Sequence, residues 1–257
     1  MATDSVCSKC GGVGWIIVER SSVSGAQRCE CRKDGLVGRL EERAEIPPLY
    51  SHATLDNFNI RFPDNPIAAG QLSFAHVTVQ NYVRDYPHGP RPGLLLIGEQ
   101  GCGKTHLAVG VLRKVMEKGF ACLFCDYQGL LDRIRAGYDP ASRWADKEAY
   151  RVALDVEVLL LDDLGAHRGN EWVEDIVTAI ITHRCNQKRT LIATTNLPDG
   201  DAGSSVTERS ALGTPTYRRT LADAIGARAR SRLFEMCTVI KMPAVEDYRI
   251  RKAKLFT

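Results

Sequence analysis

The 257-residue sequence lacks the features that mark a membrane or secreted protein. It contains no uninterrupted apolar run of about 18 residues, the length that a membrane-spanning helix needs. Its first residues, MATDSVCSKC, include no basic segment followed by an apolar core, so we expect no secretory signal. The formal net charge is only +3, so a nucleic-acid surface would have to come from local clusters of basic residues.

Cysteine, in contrast, is abundant. The chain has 9 cysteines, and Cys7, Cys10, Cys29 and Cys31 lie close together near the N-terminus. An odd number with this clustering does not suit a secreted disulfide framework. It favours a protein of the reducing cytoplasm with a metal site at one end.

Strand and helix patterns alternate after the cysteine-rich start and a short charged helix predicted over 34–48. Short apolar segments bounded by Gly, Asp or Pro predict strands that are buried on both faces, as in a parallel sheet. Apolar residues at helical spacing predict helices between them, so we expect an α/β fold with helices on both faces. The predicted strands are 94–97, 121–125, 156–161, 190–195 and 238–242, and the predicted helices include 104–118 and 171–184. The polar segment 198–219 is predicted to be a long mobile loop.

A glycine-rich motif follows the first of these strands and opens a helix. Its residues fit the pattern G-x-x-x-x-G-K-[ST], in which backbone N–H groups curl around phosphate oxygens. Lys104 is expected to reach the β- and γ-phosphates, and the Thr105 hydroxyl is expected to bind Mg²⁺. The alternative is an ordinary glycine-rich turn. The candidate nucleotide-binding residues here are Gly98, Glu99, Gln100, Gly101, Cys102, Gly103, Lys104, Thr105 and His106.

Polar residues end two further strands. Asp162 and Asp163 follow an apolar strand, where we expect Asp162 to orient Mg²⁺ and Asp163 to polarise the water that attacks the γ-phosphate. Asn196 ends the next strand and is predicted to hold the same water. The alternative for the acid pair is a solvated strand end, and Asn196 also suits a simple turn.

Three arginines alternate in the segment AIGARARSRLFEMC. On a helix, Arg228 and Arg232 share a face, whereas Arg230 points elsewhere. One interpretation is a solvated basic helix. The other is an arginine supplied to the γ-phosphate of a neighbouring subunit.

Taken in order, these motifs resemble those of AAA+ ATPases, and most of all the DnaC/DnaI-type helicase loaders and the related IstB transposition ATPases. The resemblance covers about residues 46–257. The segments that carry it are TLDNF (54–58), GKTHLAVGVL (103–112), LLLDDLG (159–165), IATTNLP (192–198) and GARARSRL (226–233).

This resemblance implies a five-stranded parallel P-loop sheet of the AAA+ (ASCE) type that binds ATP and Mg²⁺. It implies that Asp162 and Asp163 are the Walker B pair, that Asn196 is sensor 1 and that Arg232 is a trans arginine finger in a homo-oligomer. Arg228 resembles the second arginine of that box. Arg249 resembles a nucleotide-sensing arginine, although Glu246 and Asp247 stand where the family usually has a small residue. The insertion 198–219 is longer than the family usually carries.

The resemblance also implies a DNA-binding element over 127–139. In such loaders this helical element touches single-stranded DNA. Arg133, Arg135 and Tyr138 offer two cations and one stacking ring, which is the combination that single-strand binding uses. The alternative is an amphipathic surface helix with solvated arginines.

The spacing Cys7-x-x-Cys10 and Cys29-x-Cys31 predicts a tetrahedral Zn²⁺ site, because four thiolates can supply the folding free energy that so short a segment lacks. A redox pair and an iron–sulfur site are the alternatives. We expect residues 1–45 to form a zinc-binding module with a linker helix that docks on a partner, and residues 46–257 to form the ATPase domain.

Three functions remain at this point. The first is a loader that assembles on single-stranded DNA and delivers the replicative DNA helicase, bound through residues 1–45. The second is a transposition ATPase that assembles on duplex target DNA for a transposase. The third is a nucleotide-gated adaptor with negligible turnover.

Overall fold

The computed structural model describes residues 7–10, 15–20, 23–60, 65–139, 144–166, 170–200, 206–209 and 215–254. The elements in chain order are β1 (Trp15–Arg20), β2 (Val23–Arg28), α1 (Glu30–Arg43), a 3-10 turn (Pro48–Tyr50), α2 (Pro66–Asp85), β3 (Gly93–Ile97), α3 (Lys104–Glu117), β4 (Cys122–Asp126), α4 (Tyr127–Ala136), α5 (Trp144–Asp155), β5 (Val158–Asp162), α6 (Glu171–Asn186), β6 (Thr190–Thr195), β7 (Val206–Arg209), β8 (Pro215–Arg218), α7 (Leu221–Ile225), α8 (Ala227–Met236), β9 (Cys237–Lys241) and α9 (Tyr248–Lys254).

The central sheet has five parallel strands in the order β4-β5-β6-β3-β9. All five predicted strands are present, with bounds within two residues of the predicted ones. Strand β6 lies between β3 and β5, so the polar residue after β6 is placed between the glycine loop and the acid pair. The predicted α/β class with a five-stranded parallel sheet is confirmed.

Helices cover both faces of the sheet. Leu94 and Leu96 of β3 pack into a core with α2 and α3, whereas Leu95 and Ile97 pack into a second core with helices α4 to α8. Alternate side chains of one strand thus enter different cores, which requires apolar residues at every position. None of the described helices is long and apolar enough to cross a lipid bilayer.

Helix α2 is absent from the sequence-based predictions. It begins after Asn65, whose side chain accepts a hydrogen bond from the Ala68 N–H (3.0 Å). Its buried face consists of small and medium side chains, and its other face leaves Phe74 exposed, so its apolar periodicity is weak. The buried residues are Ala68, Leu72, Ala75, Val79 and Val83.

The described part of the N-terminal region contains the antiparallel pair β1–β2, which is followed by α1. Helix α1 begins at Glu30, earlier than predicted, and ends at Arg43, ahead of the two prolines. Ala44 is fully buried, and the Phe124 N–H donates to the Ala44 C=O (2.7 Å). The end of the predicted linker helix is therefore packed into the core of the α/β domain.

The predicted loop over 198–219 is wrong in part, because the chain forms the antiparallel pair β7–β8 there. Residues 201–205 and 210–214 lie outside the described residues. Two contacts hold the beginning of the segment that carries β7 and β8 close to the residues that follow it. The Leu221 N–H donates to the Pro198 C=O (3.0 Å), and Arg230 forms an ion pair with Asp199 (2.7 Å). A loop of mixed Ser, Thr and Gly gave no alternation from which strands could be predicted.

Candidate functional site

The glycine loop connects the carboxyl end of β3 to the first turn of α3. Gly101 and Gly103 have φ values of 72° and 93°, a left-handed conformation that favours glycine. The Gly98 N–H donates to the Thr195 C=O (3.2 Å), which joins the loop to the neighbouring strand β6. The loop thus has the strand–loop–helix setting that phosphate binding requires.

Lys104 lies inside this loop. Its side chain is buried, and its Nζ donates to the Glu99 C=O (2.7 Å) and lies 3.9 Å from Cys102 Sγ. The ammonium group has no carboxylate partner among the described ion pairs, and its strongest partner is a neutral carbonyl. Its charge is therefore available to an anion held by the loop.

Thr105 and Asp162 are joined directly. The Thr105 hydroxyl donates to Asp162 Oδ1 (2.8 Å), and the Thr194 hydroxyl donates to the same oxygen (2.7 Å). Burial raises the pKa of the Asp162 carboxyl, whereas the two hydroxyl donors lower it. Residues from β5, β6 and α3 therefore place oxygen atoms of two predicted Mg²⁺ ligands within hydrogen-bond distance of each other.

Asp163 adopts a left-handed backbone conformation (φ 56°), which is uncommon for a residue with a side chain. The Asp163 N–H donates to Thr194 Oγ1 (3.0 Å), and Asn196 Nδ2 donates to Asp163 Oδ1 (3.1 Å). The second carboxylate is thus turned away from the strand and oriented by the residue after β6. Strain of this kind is found mainly where function requires a special geometry.

Thr194 is a residue that the sequence analysis missed. Its hydroxyl accepts from the Asp163 N–H and donates to Asp162, so it connects the two acids. The sequence ATTN contained the signal only as a polar residue within an apolar strand. Its role depends on the adjacency of β5 and β6, which the sequence pattern did not specify.

The three loop glycines are each packed by a different part of the chain. A Cβ atom at Gly103 would lie 2.5 Å from the ring of Phe58, and one at Gly98 would lie 2.7 Å from Met242 Cβ. A Cβ at Gly101 would lie 2.1 Å from Asp247 Cγ. The glycines therefore leave room for the protein's own segments to approach the loop.

Cys102 and His106 direct their side chains away from a phosphate role. Cys102 is buried in the apolar core, and burial raises the pKa of its thiol. His106 Nε2 lies 2.9 Å from the Thr54 C=O and 2.8 Å from Asn57 Oδ1, so this ring anchors the segment that carries Phe58. Burial lowers the pKa of His106. At both positions only the backbone remains for contacts with phosphates.

The arginines of α8 lie on the outer side of the domain. Arg228 and Arg232 line one open groove together with Asp175, Thr178, Ala179 and Thr182 of α6, so they share a face. Arg232 pairs with Glu235 on the same helix (2.5 Å), while Arg230 pairs with Asp199. Among the described contacts of Arg228 and Arg232, none is with the glycine loop of the same chain.

The geometry of the glycine loop and acid pair accords with comparisons to known proteins. The family model for the IstB-like ATP-binding protein matches residues 37–253. The chain belongs to this family. It is similar to the uncharacterised protein YqaM of Bacillus subtilis (strain 168), with 25% identity over 181 residues, which is 65% of this chain and 54% of YqaM.

The IstB-like chain is also similar to the replicative helicase loader DnaC of Escherichia coli (strain K12). The identity is 20% over 151 residues, covering 59% of this chain and 58% of DnaC. A crystal structure of the DnaC helicase loader superposes with a TM-score of 0.59 and 27% identity, covering 77% of this chain and 100% of that one. The AAA+ P-loop fold is confirmed. The chain spans between half and three fifths of these curated relatives.

The three residues predicted to contact DNA lie on or just after α4 in this IstB-like protein. Arg133 pairs with Glu45 (3.1 Å). The Arg135 guanidinium lies over the Trp172 ring, 4.7 Å from its centroid, and Tyr138 meets the same ring edge-on at 6.5 Å. Tyr138 is 66% exposed. Trp172 was not predicted, because only the tertiary contact of α4 with the start of α6 brings it here.

The cysteine cluster forms in part as predicted. The sulfur atoms of Cys7, Cys10 and Cys29 lie within 4.8 Å of one another, and the Cys7 and Cys29 sulfurs are 3.8 Å apart. Thiolates bound tetrahedrally at about 2.3 Å from Zn²⁺ would be about 3.8 Å apart. The donor set and spacing therefore fit zinc. Cys31 lies in the first turn of α1, and its side chain is outside the described residues.

Arg249 belongs to the C-terminal helix α9. Its N–H donates to Asp247 Oδ1 (2.8 Å), so Asp247 caps the helix. The Tyr248 N–H donates to the Gly101 C=O (3.2 Å), which places the start of α9 on the glycine loop. The segment is thus next to the candidate nucleotide site, and Arg249 is exposed.

Proposed function

We propose that this protein is an ATP-driven loader that places the replicative DNA helicase on single-stranded DNA in the cytoplasm. The observation that carries the ATPase part is the direct hydrogen bond between Thr105 and Asp162, which unites the glycine loop with the acid pair. The similarity to a replicative helicase loader over more than half of the chain supports the helicase part.

In the proposed reaction, a water molecule attacks the γ-phosphorus, the bond to the β-phosphate oxygen breaks, and ADP and phosphate leave. Asp163 polarises the water and accepts its proton, and Asn196 orients the Asp163 carboxylate through a 3.1 Å hydrogen bond. Lys104 neutralises charge on the β- and γ-phosphates. The backbone N–H groups of Gly101 to Thr105 would donate hydrogen bonds to the phosphate oxygens.

The oxygen donors at this site fit Mg²⁺, which prefers hard oxygen ligands. Thr105 and Asp162 would hold the ion, and the ion would withdraw charge from the β- and γ-phosphates. The raised pKa of the Asp162 carboxyl, caused by burial, supports this role, because a buried carboxylate with only two hydroxyl donors gains from a cation.

Arg232 is proposed to act in trans. Its partner Glu235 lies on the same helix and both side chains are partly exposed, so the pair is weak and exchangeable. The shared face of Arg228 and Arg232 offers two guanidinium groups to a neighbouring copy. A phosphoryl-transfer site that lacks a second cation of its own would be completed by such a neighbour.

An Arg232→Ala variant tests this assignment. The expected result is ATP affinity within about twofold of wild type but at least a tenfold loss of DNA-stimulated turnover, because the finger acts only in the assembled transition state. Arg230→Ala is the matched control, since Arg230 is committed to Asp199 within the chain. Full stimulated turnover in Arg232→Ala would exclude a trans finger.

The arginine and aromatic cluster of α4 and α6 is proposed to bind single-stranded DNA. Tyr138 presents an exposed ring beside Arg135 and Trp172, and such rings stack on bases whatever their sequence.

A thymidine oligonucleotide is expected to quench Trp172 fluorescence, and Tyr138→Ala should weaken binding about tenfold. Trp172→Phe shows whether the fluorescence change comes from Trp172, and Arg84→Ala, which alters an exposed ion pair elsewhere, should bind the oligonucleotide as wild type does. Unchanged binding in Tyr138→Ala would contradict the proposal.

The zinc-binding N-terminal module, residues 1–45, is proposed to dock on the helicase. Full-length wild type should contain one zinc per chain by elemental analysis and should capture the replicative helicase from its host. A Cys7→Ser/Cys10→Ser variant should lose both properties while it keeps ATP binding, whereas Cys185→Ser should lose neither. Cooperative binding to duplex DNA that survives loss of the zinc, with no helicase capture, would instead indicate the transposition ATPase.

A further inference from the structure

The structure assigns a further residue to the nucleotide site: we propose that Asp247, at the start of α9, opposes the binding of triphosphate through its negative charge. The inference rests on the proposed ATP site and goes beyond it by naming a residue that sets its affinity. Three observations support it, namely the contact with the loop, the hydrogen bond beside it and the lack of a neutralising partner.

The contact is made at the middle glycine of the loop. A Cβ atom at Gly101 would lie 2.1 Å from Asp247 Cγ and 2.2 Å from Asp247 Oδ1, so only a glycine leaves room for this carboxylate. Gly101 also has a positive φ of 72°. The loop and the acid are therefore fitted to each other, and a substitution at either position affects the other.

The Asp247 position is fixed from both sides. Its neighbour Tyr248 donates its N–H to the Gly101 C=O (3.2 Å), and Asp247 Oδ1 accepts from the Arg249 N–H (2.8 Å) as the helix cap. Upstream, Met242 packs on Gly98, and its N–H donates to the Ile97 C=O (2.7 Å). The segment from β9 to α9 thus follows the loop, and it carries the carboxylate to the middle of the loop.

Within the described part of the chain, the charge of Asp247 has no counter-ion. Among the described residues, no lysine or arginine forms an ion pair with it, and its carboxylate accepts only from a backbone N–H. Lys104 directs its Nζ to the Glu99 C=O instead. Because Asp247 packs on the middle glycine of the loop, we infer that its carboxylate lies near the phosphates that the loop binds, and like charges repel most strongly at short range. The chain therefore holds triphosphate less tightly than its loop alone would.

The decisive variant is Asp247→Asn. Asparagine caps helices as well as aspartate does, so this change removes the charge and keeps the cap. Affinity for a fluorescent ATP analogue, measured by titration at low salt, is expected to increase about three- to tenfold. Because salt screens the repulsion, the gain should shrink at 0.5 M NaCl, where the Debye length is about 4 Å.

Glu246→Gln is the matched control. It removes the same charge from the adjacent residue, which is exposed and contributes none of the three atoms nearest to a Cβ at Gly101. Its affinity for the analogue should stay within about twofold of wild type. An equal gain in affinity in both variants would show that only net charge matters and would overturn the proposal. An affinity of Asp247→Asn that is equal to or weaker than that of wild type would also overturn it.

The result also separates this inference from the proposed function. If wild type binds the analogue and Lys104→Ala does not, the nucleotide site stands, and the Asp247→Asn titration then decides the inference alone. If neither wild type nor Asp247→Asn binds the analogue, the proposed function fails together with the inference.

Discussion

Charged side chains are buried at both ends of strands β5 and β6. The charged side chains at the two ends differ in their hydrogen-bond partners. At the carboxyl ends, Asp162 accepts hydrogen bonds from the side chains of Thr105 and Thr194. At the amino ends, Arg184 is fully buried and, within the part of the chain that the structure describes, donates only to backbone carbonyls, those of Ala153, Leu154, Glu157 and Thr190.

Both ends therefore contain a buried charge with a perturbed pKa. Burial raises the pKa of Asp162 and lowers that of Arg184. Backbone carbonyls cannot leave Arg184 without unfolding the segments that carry them, whereas hydroxyl groups can rotate toward a ligand. A perturbed pKa thus identifies a candidate site only where the partners can be exchanged.

The largest effect is expected at the amino ends. Arg184→Met should lower the free energy of unfolding by about 3–5 kcal/mol, because it removes a side-chain donor from four buried or partly buried backbone carbonyls. Chemical denaturation measures this loss. Nucleotide affinity of the folded protein should be unchanged, and a stable Arg184→Met protein that fails to bind ATP would show that the two ends are not separate in role.

Lys104→Ala should lose nucleotide affinity and keep its stability, which is the opposite of what we expect for Arg184→Met. We expect at least a hundredfold loss of ATP affinity, because the only buried cation in the loop is removed, with a change in stability below about 1 kcal/mol. Titration with a fluorescent analogue and thermal unfolding measure the two quantities. Retained affinity would contradict the phosphate role, while a large drop in melting temperature would make Lys104 a structural residue like Arg184.

Asp162→Asn should make the metal-free protein more stable by about 1 kcal/mol at pH 7, because it removes a buried charge and keeps both hydroxyl donors paired. The folded-state pKa of Asp162 is raised, so its ionisation opposes folding above that pKa. The difference in the free energy of unfolding between the variant and wild type should therefore shrink as the pH falls through the raised pKa and vanish below about pH 4. Unfolding in EDTA at several pH values tests this.

Addition of Mg²⁺ and ATP should make wild type more stable than Asp162→Asn. Wild type should gain stability from Mg²⁺ with ATP, and Asp162→Asn should not. A variant that is less stable than wild type at pH 7 without metal would contradict the account of Asp162 as an uncompensated charge.

The smallest effect is expected at Cys102. Cys102→Ala should change ATP affinity by less than about threefold, because its side chain lies in the core and only its backbone faces phosphate. Alkylation should be slow near pH 8, since burial raises the pKa of the thiol, and should block binding once it occurs. ATP is expected to protect Cys102. Rapid alkylation, or full affinity after complete modification, would contradict the placement.

The sequence predicted well what depends on local pattern. Buried parallel strands are continuous apolar runs, so all five were placed within two residues, and the glycine loop was recognised by its own spacing. The acid pair at the end of β5 was predicted because both residues follow a strong apolar run. These features are fixed by neighbours in the sequence.

The features that were missed depend on distant contacts. Thr194 connects the acids because β6 lies beside β5, Trp172 meets Arg135 because α4 packs near the start of α6, and Asp247 reaches Gly101 because the chain returns past the sheet. The β7–β8 pair was missed because its polar residues do not alternate. The spacing of apolar residues along the sequence contains no information about which distant segments come into contact.

The base of the β7–β8 excursion has a practical consequence for protein engineering. The chain leaves the domain at Pro198 and Asp199 and re-enters at Leu221, where a backbone bond and an ion pair hold the exit and the entrance together. We expect that β7, β8 and the residues between them can be shortened, or exchanged for a reporter, while α8 stays in place, because neither contact involves them.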